Sequence, residues 1–517
     1  MNARAKKILL LLLAAALLFG AGQIQKSLNV DRDRLGLTHA AVLENAPPML
    51  AFTTVALGGF RGLISNFLWM RASDLQQDDK FFEASQLATW ITDLEPHFSQ
   101  VWVFQGWNMS YNISVKFKEN APGDFTDRWR WVQRGIDLMR DEGLKYNPDD
   151  VLIFRELAWQ FQHKMGANLD DANMFYKREW AEEMRPFFGE KGTNYQALIS
   201  PVTLADQTNA IVLKEKYKLD PAFIKTVDEK YGPFDWRLPE AHAIYWGEKG
   251  LEQARLHPDK VKQDDLIQLR RIVYQSIYQA FKHGRILLNP FTQTYSLGPN
   301  LELVGNVNSV YEQMAAEDAG NRDHIERAQR NFLRDAVYFL YENSRMTEAR
   351  KWFKYLGDRF PDKAIVENDP QSLPKNLTLD EYAVAVAQID IDETSQERVT
   401  SAIQGFLVRA YLALVEDDDG RYENYNRIAT GVYRNYNKKT AYSTNDRVAL
   451  PPMSDLKKVV VTDLLNPQGG LPFEARAILR TKLGLPAEST APAPTNAVPE
   501  LPANTVHTNA PAAPPVP

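Results

Sequence analysis

The chain has 517 residues, a formal net charge of −6 and no cysteine, which excludes disulfides, thiol nucleophiles and cysteine-ligated zinc or iron–sulfur sites. The negative balance gives no overall attraction to phosphate, and no long basic stripe with interleaved aromatic residues is present, so nucleic acid is not expected as a partner. The hydrophobic residues, 44% of the chain, and the charged ones, 24%, are typical of a folded globular protein.

The N-terminus carries an export signal. Arg4, Lys6 and Lys7 precede a charge-free apolar run of about 17 residues, which is the short limit for a helix that crosses a bilayer. We predict a signal anchor over residues 1–25, with its basic end in the cytoplasm and the bulk of the chain on the outer side of the membrane. A signal cleaved at the small residues 20–22, which would leave an exported protein without an anchor, stays open as the alternative.

Residues 26–48 are polar and charged, and are predicted to form a spacer between the membrane and the folded part. A second apolar stretch then runs from Met49 to Met70 and contains Arg61. A charge near the middle of a membrane helix costs about 2.5 to 3.5 kcal/mol on insertion scales, which argues against a second span. The stretch is therefore interpreted as a buried first helix or as a surface that rests on the bilayer.

From this point the spacing of small, bulky and proline residues predicts helical hairpins. Small residues let two helices approach closely, bulky ones fill the space between successive pairs, and proline ends the second helix. The first predicted pair carries Leu68, Ala72, Leu75, then Ala84, Ala88, Ile91 and Pro96. The next carries Trp102 and Gly106, then, after an inserted loop at 116–127, Trp129, Val132, Ile136, Met139 and Pro148.

Two further segments repeat this pattern. The first carries Phe154, Leu157, Ala158 and Phe161, then Ala172, Tyr176, Trp180 and Pro186. The second carries Leu333, Val337 and Leu340, then Ala349, Phe353, Leu356 and Pro361. A run of matches in three separate places is more than a generic helical hairpin gives by chance.

In the rest of the chain, the amino-acid composition and the spacing of apolar residues predict an insertion, further helices and a tail. The turn-rich segment 189–240 is predicted to be a folded insertion between the repeats of 49–188 and the helical, repeat-like segment 241–361. Helices are expected at about 241–255, 264–288, 301–317, 379–388, 395–415, 421–436 and 473–483. Residues 456–465 are ambiguous because three consecutive valines are β-branched. The C-terminal helical region covers 362–485, and the Pro/Ala-rich tail 486–517 is predicted to be disordered.

These units resemble the tetratricopeptide-repeat family, most clearly over Leu68–Trp180 and Leu333–Pro361, and the arrangement is similar to membrane-anchored repeat proteins of bacterial envelopes. The resemblance implies an all-α fold, in which an N-terminal membrane helix precedes an α-solenoid of stacked helical hairpins. It also implies a concave face that binds a protein or peptide, without catalytic residues. The insertions at 116–127 and 189–240 depart from the family pattern.

The preferred functional prediction is a non-catalytic, membrane-anchored scaffold for protein–protein interaction in the cell envelope. Its partner would lie against the first helix of successive pairs. Four side chains that offer amide and guanidinium donors at helical spacing are expected to be exposed there: Asn108, Asn112, Arg155 and Gln162.

Two alternatives from other classes stay open. A glycan-cleaving enzyme of the helical-toroid type would use carboxylates of the 189–240 insertion beside an aromatic groove. Trp102 and Trp129 fall on packing positions, whereas Trp107 and Trp131 are expected to be more exposed. A third interpretation makes Met49–Met70 a lipid-facing surface.

Motifs for metal or nucleotide chemistry are missing. None of the eight histidines has a ligand spacing such as His-Glu-x-x-His, and there is no phosphate-binding loop and no Gly-x-Ser-x-Gly elbow. The acidic run Glu416–Gly420 is interpreted as a helix-to-helix turn, not as a calcium loop. Asp235–Arg237 with Glu240 and His242 form the only polar cluster that suggests a site, and ion pairing is its expected role. No cofactor and no metal are predicted, and the oligomeric state stays open.

Overall fold

The computed structural model describes residues 17, 20–28, 30 and 60–488, apart from 168, 191, 289–294, 366–369, 390–395 and 441–449. Helix accounts for 76% of these residues and strand for 2%, so the chain is mostly helical, as the sequence predicts. Most of the predicted anchor, the spacer and the Pro/Ala-rich tail lie outside the described residues. Within the described residues, no helix combines the length and the hydropathy that a membrane crossing requires.

The chain divides into two compact units. Unit 1 comprises Met1–Tyr176 and Trp246–Leu269, and unit 2 comprises Lys177–Tyr245 and Arg270–Pro517. Three long helices pass from one unit to the other, which are α6 (Asn173–Met184), α10 (Pro239–Leu256) and α11 (Gln263–His283).

After the helical residues 20–28, the described part of unit 1 continues with α1 (Phe60–Gln77), α2 (Phe81–Leu94), α3 (Ser99–Trp107), α4 (Thr126–Asp137) and α5 (Val151–Trp159). Three of them continue as wider π-helical turns: α3 over Asn108–Ile113, α4 over Leu138–Gly143 and α5 over Gln160–Gly166. A 3₁₀ turn, Ser114–Lys116, then ends the α3 segment, and Leu144–Tyr146 ends the α4 segment. Single π-helical turns are frequent at functional sites.

Helices α1 and α2 form a hairpin with small residues at its interface. Ala72 of α1 and both Ala84 and Ala88 of α2 are completely buried, as is Ile91. Alanine at these positions lets the two helix backbones approach, and the larger side chain fills the remaining space.

The joint between α2 and α3 is fixed by the carbonyl group of Pro96. It accepts hydrogen bonds from Nε1 of Trp102, at 2.8 Å, and from Nδ2 of Asn147, at 2.9 Å. Trp102 lies on α3, whereas Asn147 follows the end of the α4 segment. A single backbone carbonyl therefore connects three helix ends, and the indole of Trp102 has a structural role.

Glycines bring α3 and α4 into close contact. A Cβ atom on Gly135 of α4 would lie 2.6 Å from the carbonyl oxygen of Gly106 and 2.5 Å from Oγ of Ser110. The three atoms nearest to a Cβ atom on Gly106 would all belong to the side chain of Met139, at 2.7 to 2.9 Å. The backbone contact at Gly135 leaves no space for any other residue.

Unit 2 contains the 189–240 segment, which folds as α7 (Tyr195–Ile199), α8 (Leu204–Glu215) and α9 (Pro221–Tyr231). A two-stranded antiparallel sheet, β1 (Arg285–Leu288) with β2 (Tyr295–Gly298), follows α11 and pairs Arg285 with Gly298. The remaining helices are α12 (Val304–Glu317), α13 (Arg322–Glu342), α14 (Met346–Arg359), α15 (Leu379–Ile389), α16 (Gln396–Val415), α17 (Asp419–Thr440), α18 (Met453–Leu464) and α19 (Phe473–Lys482).

The expectation that one helix extends from 264 to 288 is wrong. Helix α11 ends at His283, and Arg285–Leu288 is a strand. At Gly284 the backbone turns so sharply that a Cβ atom would lie 1.9 Å from the carbonyl oxygen of Ala280. Periodicity alone missed this end, because the apolar residues after the glycine continue the helical pattern by chance. The ambiguous segment 456–465 is helical and lies almost entirely within α18.

Helices α13 and α14 form a hairpin of the kind that the repeat pattern predicts. Leu333, Val337 and Leu340 are completely buried on α13, and Ala349 is completely buried on α14. The side chain of Asn424 donates from Nδ2 to the carbonyl oxygen of Tyr341, at 2.9 Å, and so links α17 to the end of α13.

The acidic run 416–420 is a turn between α16 and α17, as predicted. Asp417 has a φ of 62°, in the left-handed region, and Asp418 accepts the backbone N–H of Arg421 at 2.9 Å. Asp417 also pairs with Lys482 of α19, at 2.5 Å. These contacts are those of a capped, exposed turn.

Candidate functional site

The α3 and α5 segments of unit 1 carry the same side-chain arrangement. Trp102 and Gly106 on α3 correspond to Phe154 and Ala158 on α5, and all four are buried. In both segments a tryptophan follows directly, and the π-helical turn begins with the next residue. The α3 and α5 segments thus both place a tryptophan at the change from α-helix to π-helical turn.

Four half-buried rings form a connected row across these two segments, which we call the ring row: Trp107 and Tyr111 on α3, and Trp159 and His163 on α5. Trp107 stacks on Tyr111 with ring centroids 5.4 Å apart, and Trp159 stacks on His163 at 4.4 Å. The two stacks meet where the Tyr111 hydroxyl lies 3.1 Å from Nδ1 of His163.

The spacing within each stack is four residues, and the π-helical turns determine where those residues lie. Tyr111 and His163 belong to the π-helical turns, whereas Trp107 and Trp159 end the preceding α-helices. An extra residue per turn shifts the side chains that follow it around the helix axis. Both segments make the same shift, so their rings remain aligned with each other.

A hydrogen bond between two buried polar side chains lies within the α5 segment, next to Trp159 in the sequence. Gln160 of α5 donates from Nε2 to Oε1 of Glu156, at 3.2 Å. Burial raises the pKa of Glu156 to about 7, while the nearby charge of Arg155 acts in the opposite direction. Since burial disfavours the charged carboxylate, Glu156 keeps its proton to a higher pH than an exposed glutamate does.

Lys164 and Asp170 form an ion pair beside Tyr111. Nζ of Lys164 lies 2.5 Å from Oδ2 of Asp170 and 5.2 Å from the centre of the Tyr111 ring. Burial lowers the pKa of Lys164, and it also disfavours the charged form of Asp170, but the hydrogen bond and charge of Lys164 hold the pKa of Asp170 below its ordinary value. Burial also lowers the pKa of His163, with a further contribution from Lys164, so its imidazole is neutral at pH 7.

The four residues predicted to bind a partner lie near the ring row, but two of them are not exposed. Asn108 is 0% exposed and Gln162 is 3% exposed, so the expectation that they line a surface is wrong. Nδ2 of Asn108 donates to the carbonyl oxygen of Phe81 at 3.1 Å, which connects α3 to the start of α2. Asn108 is therefore a structural link and not a ligand-binding group.

The other two predicted residues are partly accessible, and the side chain of each already has a partner within the protein. Asn112 is half-buried and donates from Nδ2 to Oδ1 of Asn108, at 2.9 Å. The side chain of Arg155 is 20% exposed and forms an ion pair with Asp265 at the start of α11. Asn112 thus remains at the edge of the ring row, whereas Arg155 connects two helices of unit 1.

Tryptophan positions match the sequence only in part. Trp102 and Trp129 are buried, as their packing positions predict, but Trp107 and Trp131 are half-buried, whereas Trp90 is exposed. Sequence reasoning did not select the ring row as a site. The repeated order of small residue, tryptophan and, four residues later, tyrosine or histidine was the signal available for it.

The polar cluster of unit 2 has an ion pair at its edge and buried charged groups inside. Arg237 binds Asp235 through two hydrogen bonds, of 2.8 and 2.7 Å, as the ion-pairing interpretation predicts. Nε2 of His242 donates to the carbonyl oxygen of Trp236 at 2.8 Å, and burial lowers the pKa of His242 to about 4.

Glu240 is buried beside the same cluster, where it interacts electrostatically with the buried Lys177. Burial raises the pKa of Glu240 and lowers that of Lys177, and each charge opposes the effect of burial on the other. Neither carboxylate oxygen of Glu240 has a hydrogen-bond partner among the described residues. Such a carboxylate favours its protonated form.

Nothing in the described part of the chain groups three or more histidine, aspartate or glutamate side chains in a way that could hold a metal ion. Comparison with known proteins adds no assignment, since no family model, curated protein or solved structure matches this chain. The ring row and its polar support therefore have to be interpreted from their own chemistry.

Proposed function

We propose that this protein is a non-catalytic helical-repeat scaffold that binds a protein or peptide through the ring row of unit 1. The supporting observation is that Trp107 with Tyr111, and Trp159 with His163, form equivalent stacks in the α3 and α5 segments, and that a hydrogen bond joins the two stacks. Half-buried aromatic rings that are already stacked offer a large contact area and lose little conformational entropy when a ligand binds. A tetratricopeptide-like solenoid would place such rings along its concave face.

We further propose that residues 1–25 anchor this scaffold in the inner membrane of a bacterium and that the bulk of the chain lies on the periplasmic side. Support comes from the sequence, where Arg4, Lys6 and Lys7 precede the apolar run. The scaffold would then present its binding surface to proteins of the cell envelope.

A glycan-cleaving enzyme has less support. Of the acidic groups in the cluster of unit 2, Asp235 is paired with Arg237, and Glu240 is buried. A glycosidase needs two carboxyl groups that both reach the sugar. In the described part of the 189–240 segment and its flank, these two groups do not meet that requirement.

The proposal is tested by photo-crosslinking of the full chain in native membranes. A photoreactive residue is placed at Val115, which is exposed one turn beyond Tyr111, and in a control protein at the exposed Glu142 of the α4 segment. We expect a discrete crosslinked protein from Val115 that disappears when Trp159→Ala is added, and no such product from Glu142.

Crosslinks that form equally at both positions, or that persist in the Trp159→Ala variant, contradict binding at the ring row. Release of reducing sugars from envelope glycans by the purified chain would instead support the enzyme. Loss of the crosslink counts only if the helical circular dichroism of the variant equals that of the parent.

A further inference from the structure

Helix α1 exposes an apolar face over its N-terminal half. Leu63, Phe67 and Met70 are 66%, 64% and 60% exposed, and their spacing of four and three residues places them on one side of the helix. Ile64 beside them is 38% exposed. The opposite side of α1, with Ala72 and Leu75, is buried and packs in the hairpin with α2.

The polarity of this face changes along the helix. The next residues on the same side are Asp74 and Gln77, which are also exposed. The apolar part therefore stops after Met70, while the exposed side of the helix continues as a polar surface. An environment that is apolar at the N-terminal end of α1 and aqueous at its C-terminal end would match both parts.

The position of this face in the chain relates it to the proposed anchor. The described helical residues at 20–28 also expose large apolar side chains, such as Ile24, at 64%, and Leu28, at 55%. The stretch 31–59 has 29 residues and can span about 100 Å at most when fully extended. The 34 residues 26–59 between such an anchor and α1 would keep α1 within roughly 120 Å of the bilayer surface.

The size of the face argues against a protein partner. Four partly exposed side chains supply much less than the about 800 Å² that each partner buries in a standard protein complex. Binding to a membrane surface does not need an area of that size, because the anchor already holds α1 near the bilayer. The tether raises the effective concentration of lipid at α1, so a weak contact is sufficient. Asn66 and Arg71 flank the apolar face and are exposed, so their polar groups could contact lipid headgroups while the apolar side chains face the acyl chains.

We propose that Leu63, Phe67 and Met70 insert into the headgroup–acyl boundary of the membrane that holds the anchor, with α1 tilted so that its N-terminal half contacts the bilayer and its end after Met70 lies in water. This inference rests on the proposed membrane anchoring. The occupant of the apolar face is lipid, and neither a second copy nor another protein is required.

The absence of cysteine makes a direct test simple. Single cysteines are introduced into the full chain by Phe67→Cys, Met70→Cys and, as the matched control on the same side of α1, Gln77→Cys. Each is labelled with a nitroxide and reconstituted into liposomes of phosphatidylethanolamine and phosphatidylglycerol. Collision rates with oxygen, which concentrates in lipid, are compared with those of a water-soluble nickel chelate.

We expect the ratio of oxygen to nickel collisions to be several-fold higher at 67 and 70 than at 77. A label at 67 and 70 that is as accessible to nickel as the label at 77 shows that the face lies in water and overturns the proposal. Low collision rates with both reagents show that protein covers the face, and also overturn it. Equal collision ratios at positions 67 and 70 would show that neither label reports only a local distortion caused by its own substitution.

A fourth label, introduced by Leu13→Cys, separates this inference from the anchoring itself. If position 13 reports lipid while 67 and 70 report water, the anchor stands and the inference fails. If position 13 reports water in the reconstituted full chain, the proposed anchoring fails as well.

Discussion

The hydroxyl group of Tyr111 lies 3.1 Å from Nδ1 of His163, and this hydrogen bond joins the π-helical turn of α3 to that of α5. The rings of both residues are stacked on a tryptophan of their own helix, so the bond connects two stacks into one row. It also fixes the orientation of the imidazole, which is neutral because burial lowers its pKa. The surface that we propose for partner binding is therefore held in place before any partner arrives.

Removal of this hydrogen bond should weaken the fold without removing a ring. We expect Tyr111→Phe to lower the free energy of unfolding by about 0.5 to 1.5 kcal/mol, since the stacked ring stays and one hydrogen bond is lost. Urea unfolding followed by tryptophan fluorescence measures the change. Tyr422→Phe is the control, because the Tyr422 hydroxyl makes no hydrogen bond among the described residues. Equal midpoints for the two variants would contradict the structural role of the bond.

The close approach of α3 and α4 predicts different costs for two glycine substitutions. A methyl group in Gly135→Ala would collide with the backbone oxygen of Gly106, whereas the three atoms nearest to it in Gly106→Ala all belong to the flexible side chain of Met139. Overpacking a core lowers the free energy of unfolding by about 1 to 3 kcal/mol. Replacing glycine by alanine within a helix raises it by about 1 kcal/mol, because alanine has the higher helix propensity. We expect a lower thermal midpoint for Gly135→Ala and little change for Gly106→Ala. The opposite order would show that the two helices can separate at little cost.

Glu156 should make the stability of unit 1 depend on pH. Its pKa of about 7 in the folded protein lies above the ordinary value of 4.5, so the folded state keeps a proton that the unfolded chain loses between these values. Its favourable contribution is therefore complete below pH 4.5 and is lost as the pH rises through about 7. We expect Glu156→Gln to gain stability over the parent by up to about 3 kcal/mol between pH 4 and pH 8.

The comparison of parent and variant isolates this carboxyl group. His163, whose pKa is lowered, titrates in both proteins, and its effect is removed by subtraction. Glutamine can still accept the hydrogen bond from Gln160 through its amide oxygen. Parallel curves of stability against pH for the two proteins would show that Glu156 has an ordinary pKa.

In unit 2, the buried pair of Lys177 and Glu240 predicts a substitution whose cost depends on pH. The charge of Lys177 favours the ionised form of Glu240, against the effect of burial. We expect Lys177→Met to lower the free energy of unfolding by about 3 to 5 kcal/mol at pH 8, because it leaves a buried carboxylate without a counter-charge. The loss should become smaller as the pH falls, because burial raises the pKa of Glu240 and its carboxyl group then takes up a proton more readily than an exposed glutamate does.

The double variant Lys177→Met with Glu240→Gln supplies the control for that experiment. Without the carboxylate, most of the stability lost at pH 8 should return, and the dependence on pH should disappear. Equal losses for the single and double variants at pH 8 and at lower pH would mean that Lys177 acts through packing and not through its charge.

Much of the helical architecture was predictable because its signals are local. Pro96, Pro148, Pro186 and Pro361 each follow the end of a helix by two residues, as expected for a residue that cannot continue a helix and that restricts its predecessor. The small residues Ala72, Ala84 and Ala88 are buried at the hairpin interface where the repeat spacing places them. These features depend on the sequence within a few residues of each other.

The candidate site was less predictable because its polar residues depend on distant partners. Asn108 was expected to face solvent, yet its amide is buried against the carbonyl group of Phe81, which lies 27 residues earlier in the chain. The π-helical turns that align the ring row also escaped detection, since one extra residue in a turn hardly changes the spacing of apolar residues. Helix periodicity cannot say which polar side chains a neighbouring helix will cover.

By itself, the sequence determined that this is a mostly helical protein of paired helices with proline-terminated ends, and that it lacks cysteine chemistry. Periodicity and chain stereochemistry act locally, so these properties need no knowledge of the neighbouring helices. Only the tertiary structure decided that Asn108 and Gln162 are interior and that Tyr111 meets His163. The burial of these residues depends on which helix faces pack together. A polar group that packing removes from water needs a hydrogen-bond partner within the protein.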